Sequence, residues 1–169
     1  MSHPNADLEA LYEAHASALY SFLLNLTRSE SDTKDCLQET FCRLISQPHL
    51  LQHLHQPHAF LFKIAYRVVI DQHRRQTTRD RYASESAPET IFEISPHPDE
   101  AHFRQEVEKA MRALPPDQRA VVHLKLWEHM TFEEIAQTLE LSPNTTASRY
   151  RYGLTKLRDT LRHLYEEIR

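Results

Sequence analysis

The chain has 169 residues with one Gly, nine Pro and two Cys; 40% of it is hydrophobic, 26% is charged, and the formal net charge is −4. A single glycine excludes the phosphate-cradling loops of P-loop and dinucleotide-binding proteins. No apolar run approaches the roughly twenty residues of a membrane span, and the N-terminus MSHPNADLEALYEAH lacks the basic-then-apolar pattern of a signal peptide, so a cytoplasmic protein is expected.

Leu, Ala, Glu, Gln and Arg abound, and apolar residues recur at about every third or fourth position, which predicts an all-α protein. Leu8, Leu11, Tyr12, Leu19, Phe22, Leu23 and Leu26 form the stripe of a long first helix. After a Ser/Asp-rich turn at Ser29 to Asp32, Leu37, Phe41, Leu44 and Ile45 define a second. Cys36 and Cys42 lie on this helix six residues apart, a spacing that suits packing better than a disulfide. A third helix begins near Pro57, turns Phe60, Leu61, Ile64, Ala65, Val68 and Val69 inward, and runs into the basic Asp71-Gln-His-Arg-Arg75.

Between Arg79 and Glu100 the chain becomes rich in Pro, Ser and acids with little periodicity, which reads as a flexible linker. The helical pattern resumes at Ala101, breaks at Pro115-Pro116 and continues through Val121 to Glu128. Two small helical domains, residues 1–80 and 101–169, are therefore expected on either side of an acidic linker over 81–100.

The segment Thr131 to Arg158 reads as a helix-turn-helix. Thr131 and Glu134 form a T-x-x-E capping box ahead of Ile135, Ala136 and Leu139. Ser142 caps a second helix with Pro143 at its first position, where the missing N–H is not needed. With Tyr150, Gly153, Leu157, Leu161 and Leu164 inward, Asn144, Thr145, Ala147, Ser148, Arg149, Arg151 and Tyr152 face out or flank that stripe. This short, polar, cationic surface suits a DNA major groove; the competing reading is a helical hairpin with a solvated face.

Charge is segregated. Residues 1–57 hold three Lys/Arg against seven Asp/Glu, residues 58–82 six against two, residues 83–110 two against seven, residues 111–142 three against five, and residues 143–169 six against three. Two basic patches on an acidic background fit two helices that meet phosphate. On the first patch, Lys63, Tyr66, Arg67, Arg74 and Arg75 combine cations with an aromatic ring, as single-stranded DNA binding requires. Twelve histidines invite a metal reading, above all His49, His53, His55 and His58, but the spacing is poor and no HExxH or CxxC pattern occurs. No metal, cofactor or catalytic residue is assigned.

Three segments in order resemble the extracytoplasmic-function (group IV) sigma factors of the sigma-70 family of bacterial transcription initiation factors. LYEAHASALYSFLLNLTRSESDTKDCLQETFCRL is similar to the start of a three-helix sigma-two domain. That resemblance gives Asp35, Gln38, Glu39 and Phe41 the role of binding a coiled coil of the polymerase β′ subunit. PHAFLFKIAYRVVIDQHRR resembles the helix that melts and reads the minus-ten element, and ALPPDQR through KLR resembles a sigma-four domain that reads the minus-thirty-five element and touches the β flap.

The departures are Arg67 at a usual asparagine, Thr146 at a usual valine, Asn144 at a frequent glycine, and the bulky Tyr150 and Tyr152. They are expected to alter promoter preference more than fold. The resemblance implies core RNA polymerase and promoter DNA as partners, with an anti-sigma factor as a further candidate. A one-component helix-turn-helix regulator is the main rival, and a histidine-dependent metal hydrolase a more distant one.

Overall fold

The computed structural model describes residues 4–51, 56–79 and 98–167, and all their regular structure is helical. The helices are α1 (Pro4–Thr27), α2 (Glu30–Ile45), α3 (Pro48–Leu51), α4 (Pro57–Arg79), α5 (Pro98–Ala113), α6 (Pro116–Leu126), α7 (Phe132–Leu139), α8 (Pro143–Thr160) and α9 (Arg162–Glu167). Helices α1 to α4 make one compact unit; α5, α6, α8 and α9, with the N-terminal part of α7, make the other.

In the first unit, α1 and α2 are joined by only two residues. Arg28 ends α1 in the left-handed region (φ 58°), and its N–H bonds to Leu24 O at 3.0 Å. Ser29 caps α2 by accepting from Asp32 N at 3.2 Å, so the turn expected at Ser29 to Asp32 contracts to Arg28-Ser29. The core joins Leu19, Phe22 and Leu23 of α1, Cys36 and Leu44 of α2, and Leu61, Phe62, Ala65 and Val68 of α4. Phe62 is not among the inward residues expected from sequence, yet it is fully buried with its ring 5.2 Å from that of Phe22. Cys36 is buried, and its thiol donates to Gln72 Oε1 at 2.5 Å. Burial, reinforced by Asp32 and Asp35, pushes that thiol up to about 11, so it stays protonated and acts as packing. The short α3 lies between the second and third helices expected from sequence and is not among them, and residues 80–97 of the expected linker lie outside the described residues.

In the second unit α5 starts at Pro98, three residues before the expected Ala101. Ala110, Met111, Leu114, Val122 and Leu157 form its core, with Val107, Tyr150, Leu154 and Leu161 packed against them. The capping box closes as expected: Thr131 N donates to Glu134 Oε2 at 2.7 Å and Glu134 N to Thr131 Oγ1 at 3.2 Å. Ser142 Oγ accepts from Thr145 N at 3.1 Å. The turn between α7 and α8 uses Glu140 at φ 58°, with Leu141 N donating to Ala136 O at 2.8 Å, the bond that a glycine-ended helix commonly makes. One expectation needs correcting: the helix that carries Leu157 ends at Thr160, and Leu164 belongs to α9.

Arg119 of α6, inside the ALPPDQR segment, is only 2% exposed. Its Nε donates to Met111 O at 3.0 Å, and its Nη2 to Leu114 O at 2.7 Å and Arg112 O at 3.2 Å. The last turn of α5 leaves carbonyls without helical donors, and this guanidinium supplies them. That is a physical reason for arginine at the end of this motif, and sequence reading had assigned it none.

Candidate nucleic-acid and polymerase interfaces

Helix α8 buries Thr146, Gly153 and Leu157 and so fixes which residues point away. Asn144, Thr145, Arg151 and Tyr152 are exposed and Ser148 is half-buried, so five of the six predicted DNA-contacting residues lie on the outer side. Arg151 sits over the Tyr152 ring, 5.6 Å from its centroid, and Tyr152 is itself 57% exposed. Thr155 and Lys156 extend this exposed surface by one turn and were not singled out from sequence.

Arg149 departs from expectation. It lies at the edge of the buried stripe and its Nε sits 3.2 Å from Asp117 Oδ2 at the start of α6. Thr146 is also corrected. It is fully buried, with Oγ1 donating to Ser142 O at 3.0 Å, so replacing a valine there changes packing and not the groove-facing surface. Tyr150 is half-buried with its ring edge-on to Phe132 at 5.4 Å, which likewise makes it a packing residue.

On α4 the buried stripe of Leu61, Ala65 and Val68 leaves the opposite side to Lys63, Tyr66, Arg67 and Arg74. Lys63, Arg67 and Arg74 are four and eleven residues apart and therefore share one stripe. Arg67 and Arg74 are exposed and Lys63 and Tyr66 half-buried, an arrangement of cations beside an accessible ring. Arg75 is exposed but follows Arg74 by one residue, which turns it about 100° around the helix and off that stripe.

On α2, Asp35, Gln38 and Glu39 are exposed along one side together with Cys42, and the exposed apolar Ile45 follows. Phe41, predicted as a fourth contact residue, is 7% exposed and packs its ring 4.9 Å from Tyr12. It supports the surface from within, and Tyr12, 49% exposed, is the aromatic residue that reaches solvent there. Arg43 connects this helix to α4: Nε donates to Glu39 Oε1 at 2.9 Å and Nη1 to Asp71 Oδ2 at 3.0 Å. The Glu39 hydrogen bond, with that from Asp71, holds Arg43 still more firmly in its charged form.

The histidines take separate places. His58 is half-buried with its ring 4.7 Å from Phe62 and 5.6 Å from His15, and His49 is exposed on α3. His123 is buried, stacked on Trp127 at 5.3 Å with Nε2 3.6 Å from Glu128 Oε1. His53 and His55 lie outside the described residues, among which no three His, Cys, Asp or Glu side chains gather as metal ligands would. No helix among the described residues is long and apolar enough to cross a membrane.

These surfaces coincide with known sequence families. Residues 11–79 match the family model for sigma-70 region 2 and residues 104–157 the model for sigma-70 region 4. RNA polymerase sigma factor CarQ of Myxococcus xanthus is 30% identical over 160 residues, spanning 95% of this chain and 92% of that protein. ECF RNA polymerase sigma factor SigL of Mycobacterium tuberculosis is 29% identical over 159 residues, spanning 93% and 90%. Among solved structures, the sigma factor RpoE from Bartonella quintana in complex with the anti-sigma factor NepR shares the fold at a TM-score of 0.78 and 20% identity, over 92% of this chain and 97% of that one. CnrH in complex with the cytosolic domain of CnrY shares it at 0.61 and 21%, over 92% and 88%. The chain thus belongs to the extracytoplasmic-function group of the sigma-70 family, the transcription initiation factors that bind core RNA polymerase and direct it to promoter DNA.

Proposed function

We propose that the three exposed faces divide the work of initiation. In this reading the outer side of α8, through Asn144, Thr145, Ser148, Arg151 and Tyr152, reads the minus-thirty-five element as duplex. The Lys63, Tyr66, Arg67 and Arg74 side of α4 holds the opened minus-ten strand, with Arg75 on the adjoining backbone. Asp35, Gln38 and Glu39 of α2 dock on the β′ coiled coil, and the second unit meets the β flap. The observation that carries this reading is that α4 and α8, in different compact units, each set a cationic, aromatic-bearing side opposite a buried stripe. Residues 1–80 and 101–169 act as two domains, and the Pro, Ser and acid-rich segment 81–100 serves as a spanning linker. The chemistry remains the polymerase's, the site of action is the cytoplasm, and an anti-sigma protein, such as the one bound in the RpoE structure above, is a further partner.

Reversing Asp35 and Glu39 together to lysine is expected to reduce co-purification with core polymerase at least tenfold. Thermal stability should change by less than about 1 kcal/mol, because exposed acids contribute little to folding. Unchanged core binding and transcription would remove these residues from the docking face.

Arg151→Ala is expected to weaken promoter binding by the assembled holoenzyme about tenfold, with discrimination lost at one base pair, if the guanidinium reads a base edge. Binding across a panel of single-base promoter variants distinguishes this from a phosphate contact, for which the loss is uniform. No loss at all would exclude Arg151 from the interface.

A further inference from the structure

The Asp117–Arg149 pair is not explained by folding or by base recognition alone. Asp117 stands in the first turn of α6, where its Oδ1 accepts from Gln118 N at 3.0 Å and the helix N-terminus favours its charge. Its Oδ2 lies 3.2 Å from Arg149 Nε, an ion pair that ties the start of α6 to α8. The nearest approach of the ion pair is at Nε, which leaves the terminal nitrogens at the outer end of the guanidinium. About 29% of the Arg149 side chain is exposed, next to the outward Thr145, Tyr152 and Lys156.

A carboxylate near a DNA-binding surface repels phosphate, and as a general electrostatic element Asp117 would weaken the complex. Its placement makes sense if it fixes the orientation of the cation beside it. An arginine gripped at Nε keeps its fork free, and a pre-oriented fork loses less side-chain freedom when it meets a phosphate. We propose that Asp117 is a positioning residue for promoter binding, holding Arg149 by Nε so that its terminal nitrogens clamp a backbone phosphate beside the recognition helix. The inference rests on the assignment of α8 to duplex DNA.

The test is a double-mutant cycle of Asp117→Asn and Arg149→Gln in the full chain assembled with core polymerase, read as affinity for a promoter fragment at several salt concentrations. Asparagine retains the Oδ1 acceptor for Gln118 N, so the cap of α6 persists. Arg149→Gln should lower affinity about tenfold, equally for all promoter variants, and reduce the salt slope by about one. Asp117→Asn should lower affinity about three- to tenfold despite removing a negative charge, and should have no further effect in the Arg149→Gln background. Tighter binding by Asp117→Asn, or an equal loss in both backgrounds, would overturn the proposal. If the unaltered holoenzyme showed no promoter preference, the functional reading itself would fail, a result distinct from either outcome of the cycle.

Discussion

Replacing Arg119 by methionine is expected to destabilise the second unit by about 1–3 kcal/mol, the cost of leaving a buried acceptor without its donor. The side chain is 2% exposed and bonds three carbonyls, those of Met111, Arg112 and Leu114, where α5 ends. Methionine keeps much of the apolar stem, so the loss reports the charge-assisted hydrogen bonds, most of all that to Leu114 O, since Met111 O still accepts from Leu114 N at 3.1 Å. Arg119→Lys should recover only part of the loss, since a single ammonium cannot reproduce the planar fork that spans three acceptors. Urea unfolding of the two variants measures this directly. An unfolding free energy within about 0.5 kcal/mol of the unaltered protein would mean that the bonds are incidental.

The second large effect is expected at Gly153, the chain's only glycine. It lies inside α8, where glycine ordinarily costs about 1 kcal/mol relative to alanine, so helix propensity alone predicts that Gly153→Ala stabilises. Packing predicts the opposite. A Cβ at this position would stand 2.6 Å from Cγ2 of Val122, which is fully buried in α6 and, being β-branched, has one strongly preferred helical rotamer. The neighbour cannot yield cheaply, and overpacking of this kind costs about 1–3 kcal/mol. Gly153→Ala should therefore lower stability, and Gly153→Val should lower it further. Val122→Ala removes the clashing methyl, so the Gly153→Ala/Val122→Ala pair should lose less than the sum of its parts. A rise in melting temperature for Gly153→Ala alone would show that α8 can move away from α6 without loss.

What could be read from the residues divides by range. The capping box of Thr131 and Glu134, the Ser142 cap and the starts of α7 and α8 are each written in a few neighbouring residues, and each forms as expected. Features that depend on the neighbouring helix were not legible. Phe62 stands three residues before Ala65 and seven before Val69, at helical spacing with the inward stripe, but its burial shows only against Phe22 on α1. Phe41 reads both as a member of the apolar stripe of α2 and, by resemblance, as a contact residue; its place under Tyr12 decides for the first. Nothing in the sequence marks Arg119 as the residue whose guanidinium the end of α5 takes up, and Arg149, which reads as a cation facing DNA, is also paired with Asp117. The start of α5 and the end of α8 also lie a few residues from their expected places, as helix ends do where prolines and tertiary contacts compete with propensity.

The charge layout supplies the most direct test of the account. A chain of net charge −4 with one basic recognition helix should bind duplex DNA poorly by itself, because the electrostatic part of affinity is offset nearby. Core polymerase should supply what is missing by holding both DNA-binding units at one spacing, which converts two weak contacts into a linked event worth roughly a hundredfold or more. The measurement is to add the purified chain to sigma-free core enzyme on genomic DNA, sequence the transcripts, and compare DNA binding with and without core. The account predicts discrete start sites that depend on the chain, and strong promoter-specific binding only when core is present. Random initiation with core, together with nanomolar sequence-specific binding to duplex DNA by the chain alone at physiological salt, would contradict it.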